Sequence, residues 1–253
     1  MSLKLVLNQT LNTITVDKDE NIDITANNDA ELIIMIQGGN KLNINGSFYK
    51  GVVKIVIINV SDQDIVINEN YINDGAYTTV AYAMLSKGNI ILNSYSDVLK
   101  GELNYHNYVL AVNTLEIIEK VVNCKPNTTA NIYNNVVALD NSNFSLNAIG
   151  KINKNSYKSA SHQLSSCLTF GDIDTLKVLP ILEIDENDVL ASHSNDIGTI
   201  NENQKFYLHS RGLSDSQISE LITIGYIMPF TKIIESDDIT NLVKDKVKEL
   251  CKN

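Results

Sequence analysis

The stretch ELIIMIQGGNKLNINGSFYKGVVKIVIINV, residues 31–60, holds three short runs rich in isoleucine, leucine and valine. Apolar and polar residues alternate in Leu42-Asn43-Ile44-Asn45, which is the period-2 pattern of a β-strand with one buried face. The asparagine and glycine residues between the runs tolerate left-handed backbone angles and favour turns. The stretch therefore predicts three strands joined by two turns.

The same pattern extends over most of the chain, from residue 14 to about residue 190. Further strand-like runs are DIVIN (64–68), NIILN (89–93) and ANIYNNVVAL (130–139). Many short strands with almost no helix between them are typical of an all-β protein. The pattern alone leaves a sandwich, a barrel and a solenoid open. The abundance of asparagine favours a solenoid, because stacked asparagine side chains form ladders there.

After residue 200 the pattern becomes helical. Residues 202–212 predict a helix that ends at a glycine. Ser214 begins a second helix with capping-box spacing to the glutamine three residues later, and Gly225 is expected to end it. A last helix is predicted from about Asp237, with one apolar face formed by Ile239, Leu242, Val243, Val247 and Leu250. We therefore expect a short helical tail after the β body.

Composition and charge narrow the class of protein. With 43% hydrophobic and 20% charged residues, the chain of 253 residues has the composition of a globular protein. Its formal net charge of −10 disfavours binding to nucleic acid or an anionic membrane surface. No signal peptide and no membrane-spanning run are recognisable, so we expect a cytoplasmic protein. Residues 1–200 are predicted to form the β core and residues 201–253 a C-terminal helical subdomain.

The common catalytic motifs are missing from this sequence. It contains no G-x-x-x-x-G-K-[ST] phosphate-binding loop, no H-E-x-x-H zinc motif and no G-x-S-x-G nucleophile motif. Cys124, Cys167 and Cys251 are far apart and form no C-x-x-C pair, so we expect reduced, mostly buried thiols. No enzymatic activity and no stably bound cofactor are predicted.

Two acidic residues and one histidine are the remaining candidates for chemistry. Glu183 and Asp185 would share one face of a strand, as in sugar-cleaving β-helix enzymes. The ordinary interpretation is a solvated strand face, and tryptophan, which sugar-binding enzymes usually present, is absent. His193, expected just after a strand, is one of four histidines. Its sequence context alone does not decide whether it has a chemical role.

An ordered series of short motifs extends from residue 157 to residue 230. Its members are Gln163, Pro180-Ile181-Leu182-Glu183-Ile184, Asp188-Val189, Ser192-His193, Gly198, Phe206-Tyr207-Leu208 and Ser210-Arg211-Gly212-Leu213. This series resembles the C-terminal signature of the SufB/SufD family, scaffold subunits of the SUF iron–sulfur cluster assembly machinery. The resemblance implies a right-handed parallel β-helix (solenoid) with a short C-terminal helical subdomain. It also implies structural roles for the family-motif residues Gln163, Pro180, Gly198, Tyr207, Arg211 and Gly212.

Within the family, this chain looks more similar to the D-type subunit. The B-type subunit has a reactive cysteine directly after the glutamine that matches Gln163, where this chain has Leu164. It also has acidic residues on both sides of the histidine that matches His193, where this chain has Ser192 and Ser194. The cysteine often found two residues before that histidine in D-type chains is alanine here. Cys167 lies three residues beyond the B-type position, so no thiol role is transferred to it.

The resemblance to the SufB/SufD family also implies partners. We expect a noncatalytic SufD-like scaffold subunit that pairs with a SufB-type subunit and a SufC-type ABC ATPase. The ATPase would dock on the apolar stripe Ile218, Leu221 and Ile222. His193 would either bind transient iron or an iron–sulfur cluster at the subunit interface or only shape that interface. The alternatives are a self-sufficient homodimeric scaffold, a β-helix enzyme acting on glycans, and a purely structural interaction module.

Overall fold

The computed structural model describes residues 2–7 and 11–252; residues 1, 8–10 and 253 lie outside it. The described residues form mainly β-strands. In chain order these are β1 (Leu3–Leu7), β2 (Leu11–Val16), β3 (Glu20–Ala26), β4 (Ala30–Ile36), β5 (Lys41–Phe48), β6 (Val52–Asn59), β7 (Ile65–Leu85), β8 (Ile90–Ala111), β9 (Thr114–Asn123), β10 (Thr129–Ala138), β11 (Asn143–Ile152), β12 (Ser159–Thr169), β13 (Thr175–Ile184) and β14 (Val189–Thr199). The helices α1 (Glu202–Ser210), α2 (Asp215–Ile227), α3 (Thr231–Ile234) and α4 (Asp237–Leu250) follow, with a 3-10 turn at Met228–Phe230.

Each strand from β1 to β12 pairs in parallel with a strand one turn further along the chain, which gives two faces. Face A contains β1, β3, β5, the first halves of β7 and β8, β9, β11 and β13. Face B contains β2, β4, β6, the second halves of β7 and β8, β10, β12 and β14. This pairing is that of a parallel β-solenoid and confirms the predicted all-β fold class. The right-handed coil stays a prediction.

Strands β7 and β8 are longer than the sequence pattern predicts. Each crosses from face A to face B, and β7 has a register shift between Asn73 and Tyr77 where it turns. Inside this corner, the Asn73 side-chain amide donates to the carbonyls of Ala76 and Lys100, both at 3.0 Å. Because these bonds satisfy buried backbone carbonyls, the chain can turn without a loop.

A ladder of asparagines runs along the outer side of face A. Asn43 donates to Asn21 at 2.7 Å, Asn68 to Asn43 at 3.0 Å, and Asn93 to Asn68 at 3.1 Å. Partners in the ladder are 22 or 25 residues apart in sequence, whereas later pairs in the solenoid are 27 and 31 residues apart. The turn length therefore grows along the chain, which explains why no strict repeat is visible in the sequence.

The helices α2 to α4 pack against the outer side of face B. Apolar residues that point outward from the strands meet apolar residues of the helices in a second buried cluster, and the ring centroids of Tyr108 and Phe230 lie 5.7 Å apart. At its edge, Lys54 Nζ donates to the Ile233 carbonyl at 3.1 Å, and Lys246 pairs with Asp62 at 3.1 Å. Whether the predicted units 1–200 and 201–253 are separate domains stays a prediction.

The predicted helix ends are confirmed at some points and wrong at one. Gly212 has φ +88° after α1, and Ser214 forms the predicted capping box with Gln217. The expectation that Gly225 ends the second helix is wrong, since α2 continues to Ile227. A glycine inside a helix costs only about 1 kcal/mol, and the burial of Ile227 in the second cluster offsets this cost. Among the described residues, no helix has the length and apolarity needed to cross a membrane.

Candidate functional site

The last turn of the solenoid, β13 and β14, is an open end. In the described parts of the chain, β14 pairs only with β12, so its other edge has unpaired backbone groups. Residues 190–199 are all exposed. His193 lies in the middle of β14, so the expectation that it follows a strand is wrong. The extended run of polar residues around it is held as a strand by its pairing with β12.

His193 points toward the interior side of this end. It is the register partner of Gln163 in β12, and partners in a parallel pair project on the same side of the sheet. The Gln163 side chain is directed into the solenoid and is only 3% exposed. His193 is exposed because no described strand lies beyond β14 to cover it.

The layer beneath β14 is polar and closely packed. Gln163 Nε2 donates to the Ile181 carbonyl at 3.0 Å and so links face B to face A. Gln163 Oε1 is buried and has no hydrogen-bond partner within the described residues. A Cβ at Gly150 would overlap Ser161 Oγ and lie 2.9 Å from Gln163 Nε2, so glycine at this position makes room for the amide. Asn195 in β14 donates to the Val178 carbonyl at 3.4 Å.

The family-motif residues lie in two separate places. Gln163, Pro180 and His193 are close to the open end, and the Gly198 carbonyl in β14 accepts from Thr169 Oγ1 at 3.3 Å. The other group belongs to α1 and the turn after it, and the Arg211 guanidinium lies 5.2 Å from the centroid of the Tyr207 ring. The motif therefore describes an open end and an adjoining helix rather than one pocket.

Metal-ligating side chains are sparse in the structure. The described residues contain no group of three or more histidine, cysteine, aspartate or glutamate side chains that could hold a metal ion. Burial raises the pKa of the Cys167 thiol to about 12 and that of Cys124 to about 11, so both are protonated at neutral pH. Cys167 and Cys251 are buried and Cys124 is partly exposed, all as free thiols. His193 is the imidazole on the edge strand β14 itself, and a second imidazole, His162, lies on the neighbouring strand β12 with its Nδ1 2.8 Å from Ser192 Oγ.

The three residues predicted to dock an ATPase do not form one surface. Ile218 is 1% exposed, whereas Leu221 is 52% exposed. Leu221 lines a groove between α2 and α4 together with Lys248, and Ile222 lines a different groove between α1 and α2. Helix α1 has no buried residue, and its Phe206 is 76% exposed. The sequence pattern missed this exposed aromatic surface, because α1 has no apolar stripe from which to recognise it.

The acidic pair considered for sugar cleavage is bound to lysines. Glu183 lies 3.0 Å from Lys120 and 3.8 Å from Lys151, and Asp185 lies 3.7 Å from Lys151. These contacts form a charge-balanced network on the outer side of face A. Such a network is the ordinary structural use of acidic residues on a solvated strand face.

Comparison with known proteins identifies the family. A family model described as "SUF system FeS cluster assembly, SufBD core domain" matches residues 19–226. The chain belongs to the SufBD family. The matched region of this SufBD chain includes the strands from β3 to β14, α1 and nearly all of α2. The predicted SufBD family membership is thus confirmed.

Individual SufBD relatives are more distant. An iron–sulfur cluster assembly SufBD family protein of Mycobacterium bovis is 29% identical over 113 residues, 45% of this chain and 13% of the relative. SufB of Bacillus subtilis is 26% identical over 45% of this chain and 24% of its own length. SufD of the same organism is 29% identical over 44% of this chain and 26% of its own length. The aligned region thus spans at most about a quarter of these relatives, and D-type character stays a prediction.

Proposed function

We propose that this chain is a noncatalytic, SufD-like scaffold subunit that pairs with a SufB-type subunit and an ABC-type ATPase. The observation that carries this proposal is the open end of the solenoid, where β14 presents an unpaired backbone edge beside His193. An edge of this kind is completed when a strand of a second protein adds to it through main-chain hydrogen bonds. Leu190 and Ile197, which are 69% and 50% exposed, offer apolar contacts along the same strand.

The small number of metal-ligating side chains at the open end supports pairing with a different subunit. His193 supplies one imidazole, a suitable type of iron ligand, and its neighbours Ser192 and Ser194 supply no carboxylate. Iron–sulfur clusters are held mainly by cysteine thiolates. Iron or a cluster carried transiently at this end would therefore take most of its ligands from the partner. This chain would contribute half of a shared site.

A homodimeric scaffold is the second candidate, and the same open edge supports it. Two copies related by a twofold axis would pair their β14 strands in antiparallel orientation, since such an interface uses the same surface twice. The shared site would then contain two imidazoles and no carboxylate from residues 192 and 194. This smaller ligand set makes the heterodimer the better-supported arrangement.

The ATPase is proposed to dock on the groove between α1 and α2. This sequence has no phosphate-binding loop of its own, so ATP-driven work would come from a partner. Ile222 and Tyr207 line that groove, and Phe206 is exposed on the same helix as Tyr207. Ile218 is already buried, so it would support the surface from below without contacting the partner.

The pairing is tested by co-expressing the chain with a SufB-type relative and the ATPase from the same genome and sizing the product by light scattering. We expect a stable complex containing all three proteins. A chain that stays alone, with background iron after anaerobic reconstitution, would contradict the scaffold proposal. A homodimer that excludes the SufB-type relative would favour the second candidate.

The docking surface is tested by comparing two charge substitutions. Phe206→Asp on α1 is expected to weaken ATPase binding by tenfold or more (~1.4 kcal/mol), because it places a carboxylate in an apolar contact. Leu221→Asp, on the α2–α4 groove, is the matched comparison on the originally predicted stripe. Isothermal titration calorimetry with the purified ATPase measures both. Loss of binding with Leu221→Asp alone would move the docking surface to the α2–α4 groove.

A further inference from the structure

The interior of the solenoid contains two buried carboxyl groups. Glu69 in β7 is 2% exposed and Glu119 in β9 is 0% exposed. They belong to one inward-facing row of face A, in which Glu69 is the register partner of Ser94 and Ser94 is the partner of Glu119. Two strand spacings separate the two residues along the axis, so their backbones are about 10 Å apart. Within the described residues, neither carboxyl has a salt-bridge partner.

Hydroxyl groups surround Glu69. The Tyr82 hydroxyl donates to Glu69 Oε2, and Tyr71, Ser94 and Tyr105 also face this carboxyl. Tyr105 is in turn held between two serines, with its hydroxyl 2.8 Å from Ser94 Oγ and 2.6 Å from Ser96 Oγ. All of these groups are neutral at physiological pH. The environment therefore provides hydrogen bonds but no positive charge to balance a carboxylate.

Glu119 has a different partner, and its hydrogen bonds are incomplete, as are those of Glu69, whose Oε1 is also buried without a partner in the described part of the chain. Asn107 Nδ2 donates to Glu119 Oε2 at 2.8 Å and to Asn134 Oδ1 at 2.7 Å, so both amide hydrogens are used. Glu119 Oε1 and Asn107 Oδ1 are buried without a hydrogen-bond partner in the described part of the chain. Each of these buried acceptors needs a hydrogen to accept. An ionised carboxylate has none, whereas a neutral carboxylic acid carries one.

We propose that Glu69 and Glu119 are neutral carboxylic acids in the native protein. Together they form a buried proton-binding pair, and the loss of their protons destabilises the middle of the solenoid. Three observations agree on this: burial, the absence of a paired cation and the missing donor at Glu119. Burial raises the pKa of Glu69 to about 7 and the pKa of Glu119 to about 8, and the charge of Glu69 adds to the second shift. The proposal does not depend on the assignment of a cluster-assembly function.

The consequence is a loss of stability as the pH rises. In the unfolded chain both carboxyls ionise near the ordinary glutamate value of 4.5, while in the folded chain they keep their protons to about 7 and about 8. Between these values the folded state binds more protons than the unfolded state, so raising the pH favours unfolding. Each group is expected to change the unfolding equilibrium constant by up to about tenfold per pH unit in its window.

Infrared spectroscopy of the whole 253-residue chain tests the protonation directly. At roughly pH 6, where an ordinary glutamate is ionised, we expect absorption from neutral carboxyl groups that fades as the pH passes through about 7 and about 8. Glu69→Gln and Glu119→Gln should each remove part of this signal. Glu116→Gln is the matched control, because Glu116 is exposed on the same strand as Glu119. If the wild-type protein shows no neutral carboxyl absorption at that pH, the proposal is overturned. This result is obtained on the wild type alone, without any variant.

Chemical unfolding at a series of pH values tests the coupling to stability. Wild type and Glu116→Gln should lose stability from roughly pH 5 to roughly pH 9, whereas the double variant Glu69→Gln/Glu119→Gln should lose far less. Each substitution keeps the size of the side chain and removes its titration. Equal pH slopes for the double variant and wild type would overturn the role of the two carboxyls in pH-dependent stability.

Discussion

The early and late turns of the solenoid share one backbone plan but differ in what they place inside. One inward-facing row of face B can be followed through the registers from Leu32 to Ile55, Val80, Tyr105, Ile132, Gln163 and His193. Its early members are fully buried hydrophobic residues, and its last member is an exposed imidazole. The same structural position thus stabilises the fold at one end and offers a chemical group at the other.

The gradient along this row has a physical cause. A side chain in the early turns is covered by strands on both sides, so a polar group there would lose its contact with water. The last turn has a described strand on one side only, so His193 keeps solvent contact and costs little. Substitutions along the row should therefore affect stability less, and assembly more, as the open end is approached.

The largest loss of stability is expected in the early turns. Ile55→Ala removes a fully buried side chain from the early part of the row and should lower the free energy of unfolding by about 2–5 kcal/mol. Chemical denaturation measures this loss, and partner binding by the remaining folded protein should be unchanged. A change of under 1 kcal/mol would mean that the early interior is loosely packed, and would remove the contrast between the two ends.

An intermediate effect is expected at Gly150, in the layer below the open end. Gly150→Ala places a methyl group against Ser161 Oγ and 2.9 Å from Gln163 Nε2, so the amide must move away from the Ile181 carbonyl. Overpacking of this kind costs about 1–3 kcal/mol. Thermal unfolding measures the cost, and Gly225→Ala on α2, where an added Cβ meets nothing within 4 Å, is the control. Equal stability of Gly150→Ala and wild type would show that the amide is not tightly held.

The sequence was sufficient to predict strands over most of the β body, from residue 14 to about residue 190, because alternation in runs such as residues 41–45 reflects directly which side chains are buried. It was also sufficient for α1, for the capping box at Ser214 and, through the motif residues, for the family. It could not show that β7 and β8 bend from one face to the other, since that depends on the buried amide of Asn73.

The candidate site was harder to predict than the fold. The identity of His193 was recognised, but its place within an edge strand was not, because a polar segment such as residues 191–196 becomes a strand only through its neighbour β12. The burial of Ile218 and the exposure of Phe206 depend on how α1 and α2 meet the β body. The periodicity of a helical sequence predicts where its apolar stripe lies. It does not predict which residues of that stripe are buried against the β body.

The smallest effect on stability, and the largest on cluster assembly, is expected for His193→Ala. The ring is exposed in the edge strand β14, so its removal should change the free energy of unfolding by less than about 0.5 kcal/mol. If the proposed shared site is correct, cluster formation by the reconstituted complex should fall, because that site would lose one imidazole ligand.

His162→Ala is the matched control for this prediction. His162 lies on the neighbouring strand β12 next to Gln163, so its side chain projects to the opposite, outer side of the sheet, where its Nδ1 is 2.8 Å from Ser192 Oγ. Anaerobic reconstitution followed by absorption spectroscopy compares the two variants with wild type. Unchanged cluster assembly with weaker partner binding in His193→Ala would assign the ring to the subunit interface. Loss of a metal ligand alone would lower cluster formation and leave partner binding intact, whereas loss of an interface contact would weaken partner binding.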